Sequence, residues 1–283
     1  KPGETLHINQ AQKEFGGGKG ANQAIAASRL AADTTFISKI GKDGNANFIL
    51  EDFKKAGIHT QYILTSESEE TGQAFITVDE AGQNTILVYG GANMTLSATD
   101  VEMSVDAFIG ADFVVAQLEV PFEAIEQAFK IARKQNITTV LNPAPAIELP
   151  KSLLELTDII IPNETEAELL TGISINNESD MKETATYFLD LGISAVLITL
   201  GEQGTYCAYQ EQYKMIPACN VKAIDTTAAG DTFIGAFLSE LNKDLSNLES
   251  AIRLANQASS LTVQRKGAQA SIPTRKEVEA EYN

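Results

Sequence analysis

Short runs of consecutive apolar and β-branched residues recur along the chain, at residues 35–40 (TFISKI), 113–118 (FVVAQL), 138–141 (TTVL), 158–161 (DIII) and 195–200 (AVLITL). Continuous rather than alternating apolarity predicts strands covered on both faces. Between these runs the apolar positions fall at helical spacing. Ile125, Ala128, Phe129 and Ala132 occupy i, i+3, i+4 and i+7, and Met181, Ala185, Phe188 and Leu189 form a similar stripe. Strand–helix alternation of this kind predicts a parallel sheet flanked by helices. Two stretches break the rhythm. Residues 72–79 (GQAFITVD) and 83–89 (QNTILVY) alternate apolar and polar and are joined by Glu80-Ala81-Gly82, a hairpin signal. The opening 4–15 (ETLHINQAQKEF) reads as extended and half-polar. After Ala228 the pattern is mostly helical, with turns at 243–247 and 266–273. With no internal repeat or long linker, the expectation is one α/β body carrying an inserted antiparallel lid.

The 283 residues suffice for one large domain or two modest ones, and 43% hydrophobic with 21% charged residues is an ordinary globular composition. A formal net charge of −17 repels phosphate backbones and anionic lipid surfaces, so neither nucleic acid nor membrane is expected as partner. An anionic small molecule stays admissible, because N–H groups at a helix end bind phosphate locally. Cys207 and Cys219 lie in no CxxC pattern, and with His7 and His59 as the only histidines a zinc cage cannot be assembled; buried reduced thiols are expected. No apolar run approaches the ~18 residues of a membrane span and no charged-then-apolar leader is visible, so the expected compartment is the cytoplasm. The chain opens Lys1-Pro2-Gly3-Glu4-Thr5 without Met, which reads as an N-terminus whose preceding stretch is missing.

Two segments carry candidate chemistry. Residues 15–23 (FGGGKGANQ) precede an apolar helix expected over 24–32, and glycines at a helix start let a ligand approach backbone N–H groups. Gly16, Gly18 and Ala21 satisfy a GxGxxA spacing, but the apolar strand that a dinucleotide fingerprint requires is absent before them. Nor is this a Walker A loop, since Gly20 follows Lys19. A plain flexible turn is the bland alternative. The second segment, 225–233 (DTTAAGDTF), places small residues and Asp231 at a helix N-terminus. Asp231 there is either a first-turn cap or a general base whose neighbouring N–H groups hold a transferring phosphoryl. Spacing alone does not choose. Asn163 and Glu166 likewise read as a capping box, Glu119 as a solvated strand end, and Asp225 as a turn carboxylate.

GGKGAN at 17–22 and DTxAAGDTF at 225–233 resemble the two signatures of the ribokinase-like (PfkB) carbohydrate kinases. LNPAPA at 141–146, PNETEAE at 162–168, ITLGxxG at 198–204 and RKGAQxS at 265–271 extend the likeness, in order, over nearly the whole chain. The resemblance implies an α/β ribokinase-like fold, a mostly parallel central sheet flanked by helices with a small antiparallel β lid. The lid would be 1–15 plus 70–92, and the kinase core 16–69 plus 93–283. It implies ATP-dependent phosphorylation of D-ribose at O5 to give D-ribose 5-phosphate, and a homodimer formed through the lid.

Residue by residue, the family pattern makes Asp231 the base, with Ala228, Ala229 and Gly230 as anion hole. Gly18, Lys19, Gly20, Ala21, Asn22 and Glu119 would line the sugar pocket. ATP would be met by Asn163, Thr199, Leu200, Gly201, Glu202, Gln203, Gly204, Gly230 and Asn256. Oxygens of Asp225, Thr227, Thr262, Arg265, Gly267 and Ser271 would hold a monovalent cation, potassium, and all-oxygen ligation suits such a hard cation. Glu166 would serve the magnesium region through water. Two departures stand out. The family carries a first strand with an Asn-x-Asp ahead of the segment matching Pro2-Gly3-Glu4-Thr5, and Gly16 is an extra glycine before the GGKGAN run. The alternatives are another sugar or nucleoside kinase of the same family, a non-catalytic sugar-binding regulator on the same fold and, weakest, a dehydrogenase on the GxGxxA match.

Overall fold

The computed structural model describes residues 16–78 and 84–282. In chain order its elements are α1 (Lys19–Arg29), β1 (Ser38–Ile40), α2 (Gly44–Ala56), β2 (Ile63–Thr65), β3 (Gln73–Val78), β4 (Asn84–Tyr89), α3 (Ala98–Met103), β5 (Phe113–Ala116), α4 (Phe122–Lys134), β6 (Thr138–Leu141), α5 (Lys151–Leu154), β7 (Ile159–Ile160), α6 (Glu164–Thr171), α7 (Glu178–Asp190), β8 (Ala195–Thr199), β9 (Thr205–Tyr209), β10 (Gln212–Ile216), α8 (Ala229–Glu240), α9 (Leu248–Val263) and α10 (Arg275–Tyr282). The main sheet has the order β10-β9-β8-β7-β6-β5, with β5 to β8 parallel and β9 and β10 antiparallel. β1 and β2 form a separate parallel pair, and β3 and β4 the expected antiparallel lid hairpin.

Successive strand residues point to opposite faces, and this sorts the core. Ile159, Ile161, Ala195, Leu197 and Cys207 pack against Phe233, Ile234 and Phe237 of α8 and Ala251, Ile252, Ala255 and Ala258 of α9. Ile160, Val196, Ile198, Tyr206 and Ala208 face the other way, onto Met181, Ala185 and Phe188 of α7. Covered on both sides, β7 and β8 have no polar face to offer, and the unbroken apolar runs follow. β5 differs from expectation: all four residues are only half-buried, because among the described residues it pairs on one side alone.

Other expectations need correction. The run at 35–40 is a strand only over its last three residues; Thr35 makes an isolated bridge to His59, and Phe36 packs edge-on against Phe53. The helix expected from residue 24 begins at Lys19, because Gly18 makes the turn at φ 89° and the Glu119 carboxylate accepts the Lys19 N–H at 2.8 Å. The hairpin of β9 and β10 was not anticipated. Of the two thiols, Cys207 is buried but Cys219 is part-exposed, and both are free. The expected extended segment 4–15 and the Glu80-Ala81-Gly82 turn lie outside the described residues.

The lid hairpin is rooted on α2. The Asp43 side chain caps α2 by accepting the Ala46 N–H at 3.0 Å, and it also accepts the Thr71 N–H at 2.6 Å and the Thr71 hydroxyl at 2.9 Å. The Thr71 hydroxyl oxygen in turn accepts the Gly41 N–H at 3.0 Å. Among the described residues no helix is long and apolar enough to cross a membrane.

Candidate active site

The carboxyl ends of β5, β6 and β7 open toward the N-terminal turns of α1 and α8, the usual position for ligands in open α/β sheets. Asp231 sits in the first turn of α8, half-buried. Its Oδ2 accepts from Asn22 Nδ2 at 2.8 Å and its Oδ1 from Gln23 Nε2 at 3.0 Å, both donors coming from α1. Burial pushes its carboxyl above the usual Asp value, while those two donors and the Lys19 ammonium pull it back. Glu166 is buried and Glu119 half-buried, and both carboxyls are raised by desolvation and by the Asp231 charge against the pull of Lys19. One ammonium thus faces three carboxylates, Asp231, Glu119 and Glu166. Asn22 Oδ1 is buried and has no hydrogen-bond partner, an acceptor left open beside Asp231.

The residues before Asp231 are shaped for an anion. Ala228 stands at φ 61°, a left-handed conformation costing an alanine roughly 1–2 kcal/mol. The N–H of Ala229 donates to the Thr226 carbonyl at 3.2 Å, whereas those of Ala228 and Gly230 have no acceptor among the described residues. A Cβ added to Gly230 would meet nothing within 4 Å, so space is open above it. Free N–H groups and the positive end of α8 face that space.

Of the sugar-pocket candidates, Gly18, Lys19, Asn22 and Glu119 converge. A Cβ on Gly18 would lie 3.7 Å from Glu119 Oε2, and Glu119 is a half-buried cap for α1 rather than a solvated strand end. Gly20 and Ala21 point elsewhere: a Cβ on Gly20 would meet Gln117 Oε1 at 2.8 Å and the Phe36 ring, and Ala21 packs with Ala24, Ile25 and Phe53. Their small size lets α1 settle.

Asn163 and Glu166 form the full capping box of α6. Glu166 N–H donates to Asn163 Oδ1 at 2.8 Å, and both carboxylate oxygens accept from Asn163, one from its N–H at 2.9 Å and the other from Nδ2 at 3.0 Å. Thr199 ends β8 beside Asn163, its N–H donating to the Pro162 carbonyl at 2.9 Å. Gly201, Glu202 and Gln203 form an exposed turn after it, closed by Gly204 at φ 110°, where a Cβ would lie 2.2 Å from the Ile216 carbonyl oxygen. Leu200 is buried and faces the core. Asn256 is buried, accepting from the Thr205 hydroxyl and donating to the Ile216 and Pro217 carbonyls, so it fastens the strand that follows the turn.

Asp225 clips two loops together. Its Oδ1 accepts the Thr227 N–H at 3.0 Å and hydroxyl at 2.6 Å, and its Oδ2 the Gly267 N–H at 2.9 Å. Thr262, Arg265 and Ser271 lie along the end of α9 and the turn that carries Gly267; the Arg265 N–H takes the Thr262 carbonyl and the Ser271 hydroxyl the Ala268 carbonyl. Burial alone would raise the Asp225 carboxyl, but the three bonds and Lys266 hold it below the usual range. Among the described residues no cluster of three or more His, Cys, Asp or Glu side chains is placed to hold a metal.

Three side chains at the site had no assigned part in the sequence reading: Gln23, Gln117 and Asn142. Two lie inside quoted motifs, yet a single polar residue at the end of an apolar run carries no periodic signal.

A family model described as pfkB family carbohydrate kinase matches residues 1–275. The chain is 66% identical over 278 residues to the ribokinase of Staphylococcus aureus (strain COL), covering 98% of this chain and 91% of that one. It is 46% identical to the ribokinase of Haemophilus influenzae, covering 98% and 90%. A solved structure of Arabidopsis thaliana ribokinase complexed with ribose and ATP superposes with a TM-score of 0.92 at 32% identity, covering 99% of this chain and 91% of that one. By sequence and by fold, the chain belongs to the pfkB family of carbohydrate kinases.

Proposed function

We propose that the protein transfers the terminal phosphoryl group of ATP to O5 of D-ribose, giving ADP and D-ribose 5-phosphate. The observation that carries this reading is the half-buried Asp231 carboxylate, gripped by two α1 amides, beside open space at the N-terminus of α8. Asp231 takes the proton from the sugar hydroxyl as that oxygen attacks the phosphorus, and its raised carboxyl makes it a better acceptor than an ordinary Asp. The N–H groups of Ala228 and Gly230, with Ala229 shaping the turn, offset charge on the transferring group in a loose transition state. Gly18, Lys19, Asn22 and Glu119 hold the sugar, and the open Asn22 Oδ1 is an acceptor suited to one of its hydroxyls. The nucleotide lies over Thr199 and the Gly201-Glu202-Gln203 turn, with Asn163 at its phosphate end and Leu200, Gly204 and Asn256 shaping the floor.

Magnesium fits as an ion carried on the ATP phosphates, whose charge it would offset, because it retains waters and needs few protein carboxylates; Glu166, already bonded to Asn163, would meet it through water. Potassium fits the oxygen-only set at Asp225, Thr227, Thr262, Arg265, Gly267 and Ser271, where it would brace the loop leading into the anion hole. Residues 70–92 act as lid together with 1–15, over a core of 16–69 and 93–283. Leu87 at 63% and Val88 at 66% exposure leave apolar surface on both faces of the hairpin, which supports pairing with the lid of a second copy. The cytoplasm, which supplies ATP, is the compartment this reaction calls for.

The test is ADP release with ATP and magnesium, comparing ribose, fructose, adenosine and no acceptor, in potassium and in sodium. Ribose-dependent release stimulated by potassium is expected. Release with another acceptor alone, or ribose binding without ADP, overturns the reading.

A further inference from the structure

Gln23 follows Asn22 on α1, is 2% exposed, and takes no part in the proposed sugar pocket or anion hole. Its Nε2 donates both to Asp231 Oδ1 at 3.0 Å and to Asn142 Oδ1 at 3.1 Å, and its Oε1 accepts from Gln117 Nε2. Asn142, also buried, donates Nδ2 to the Ile161 carbonyl at 3.0 Å. Gln117, Asn142 and Ile161 are the first residues beyond β5, β6 and β7. Three neighbouring strand ends therefore converge on one carboxylate through one glutamine.

An amide side chain can be turned end for end, exchanging its oxygen and nitrogen. Here that freedom is removed, because both ends of the chain accept only: the ionised Asp231 carboxylate and the Ile161 carbonyl. Asn142 must turn its NH2 to Ile161 and so its oxygen to Gln23. Gln23 must turn its NH2 to Asn142 and Asp231, leaving its oxygen for Gln117. Every bond has one direction. Asn22 keeps an oxygen without a partner, whereas both amide ends of Gln23 are engaged.

We propose that Gln23, oriented by Gln117 and Asn142, is a positioning residue that fixes the carboxylate plane of Asp231 for proton abstraction. This rests on the reading of Asp231 as the base. The charged groups facing that carboxylate are Lys19 of α1, Glu119 beyond β5 and Glu166 of α6, and none belongs to the amide chain.

The test compares Gln23→Met, Gln117→Met and the double variant with wild type, by ribose and ATP kinetics across pH and by thermal midpoint. Gln23→Met is expected to lower kcat on the order of 10- to 100-fold, as for a displaced catalytic group. It moves the acid limb of kcat/KM to higher pH, since an ionised carboxylate has lost a donor, and leaves the KM for ATP within about twofold. Gln117→Met gives about a 5-fold loss, the worth of one neutral hydrogen bond. The double variant falls no lower than Gln23→Met, because Gln117 acts through Gln23. Additive losses, or an unchanged kcat and acid limb in Gln23→Met, overturn the proposal. If Gln23→Met does not fold, the half-buried Gln117→Met decides through its own kcat and acid limb. Retained turnover in Asp231→Asn would instead remove the underlying assignment of the base, so the two failures are distinguishable.

Discussion

Gly235 of α8 faces Ala26 of α1 so closely that a Cβ on Gly235 would lie 2.5 Å from the Ala26 Cβ, and 2.6 Å from both the Ala27 nitrogen and the Gln23 carbonyl oxygen. Gly235 lies one turn beyond Asp231, and Ala26 one turn beyond Asn22. The missing side chain therefore sets the spacing at which the α1 amides reach the α8 carboxylate.

Gly235→Ala is expected to force the two helices apart. Overpacking of this kind costs about 1–3 kcal/mol, the backbone atoms in the way being unable to yield as a side-chain tip would. Thermal denaturation should show a lowered midpoint. Steady-state kinetics should show a lower kcat, with the Asn22 and Gln23 bonds to Asp231 stretched.

Asp231→Asn separates function from stability. Loss of the proposed base should lower kcat by ~10² to 10⁴, with ribose affinity kept within severalfold as read by calorimetry. Stability moves the other way. Because burial raises the folded-state value of Asp231, the folded chain binds more protons than the unfolded one between the ordinary and the raised value. Stability falls as pH rises through that window, and the penalty is complete above it. The amide carries no such penalty, and the open Asn22 Oδ1 can accept from its new NH2. The variant should melt at or above the wild-type temperature at neutral pH, and its advantage should shrink in acid.

The legible parts of this fold are those where one physical demand dominates a stretch of chain. β7 and β8 are covered on both faces and read as unbroken apolar runs; β3 and β4 are a two-stranded lid and alternate. The Asn163 and Glu166 pattern was legible because a helix end must satisfy its own N–H groups locally. The β9–β10 hairpin was missed because its two-residue loop, Gln210 at φ 48° and Glu211 at φ 60°, takes a conformation usually marked by Asn or Gly. The start of α1 was missed because its cap, Glu119, is contributed from 100 positions away. Gln23, Gln117 and Asn142 were invisible for the same reason: their partners are distant in sequence, and only the folded sheet brings three strand ends to one carboxylate.

Thr71→Val tests the lid root. The substitution keeps the volume but leaves the buried Gly41 N–H without its acceptor and Asp43 without one donor, a cost of about 1–3 kcal/mol. Burial would raise the Asp43 carboxyl, but the bonds from Thr71 and Ala46 outweigh it and the folded value lies below normal. The Asp43 contribution is present above the unfolded value and lost as pH falls through the folded one. The part of the destabilisation that comes through Asp43 should be full at neutral pH and shrink as pH falls through the folded value, as read by pH-dependent denaturation. The substitution should also raise the KM for ribose more than that for ATP, since the hairpin that Thr71 anchors is the lid proposed over the sugar.

Asp225 offers a test of the proposed cation site that does not touch the reacting groups. Its carboxylate ties Thr227 to Gly267, and Thr227 immediately precedes Ala228, the left-handed residue that opens the proposed anion hole. A potassium ion held by these oxygens would brace that turn from behind, so its effect should fall on kcat more than on substrate affinity. Asp225→Ala removes the charged ligand and both loop contacts. The expected result is a ratio of kcat in potassium to kcat in sodium that collapses toward 1, with residual ribose-dependent turnover in either salt. A preserved ratio would place the cation elsewhere. Comparing the two salts within each variant cancels any general loss of folded protein, so the ratio reports the site rather than stability.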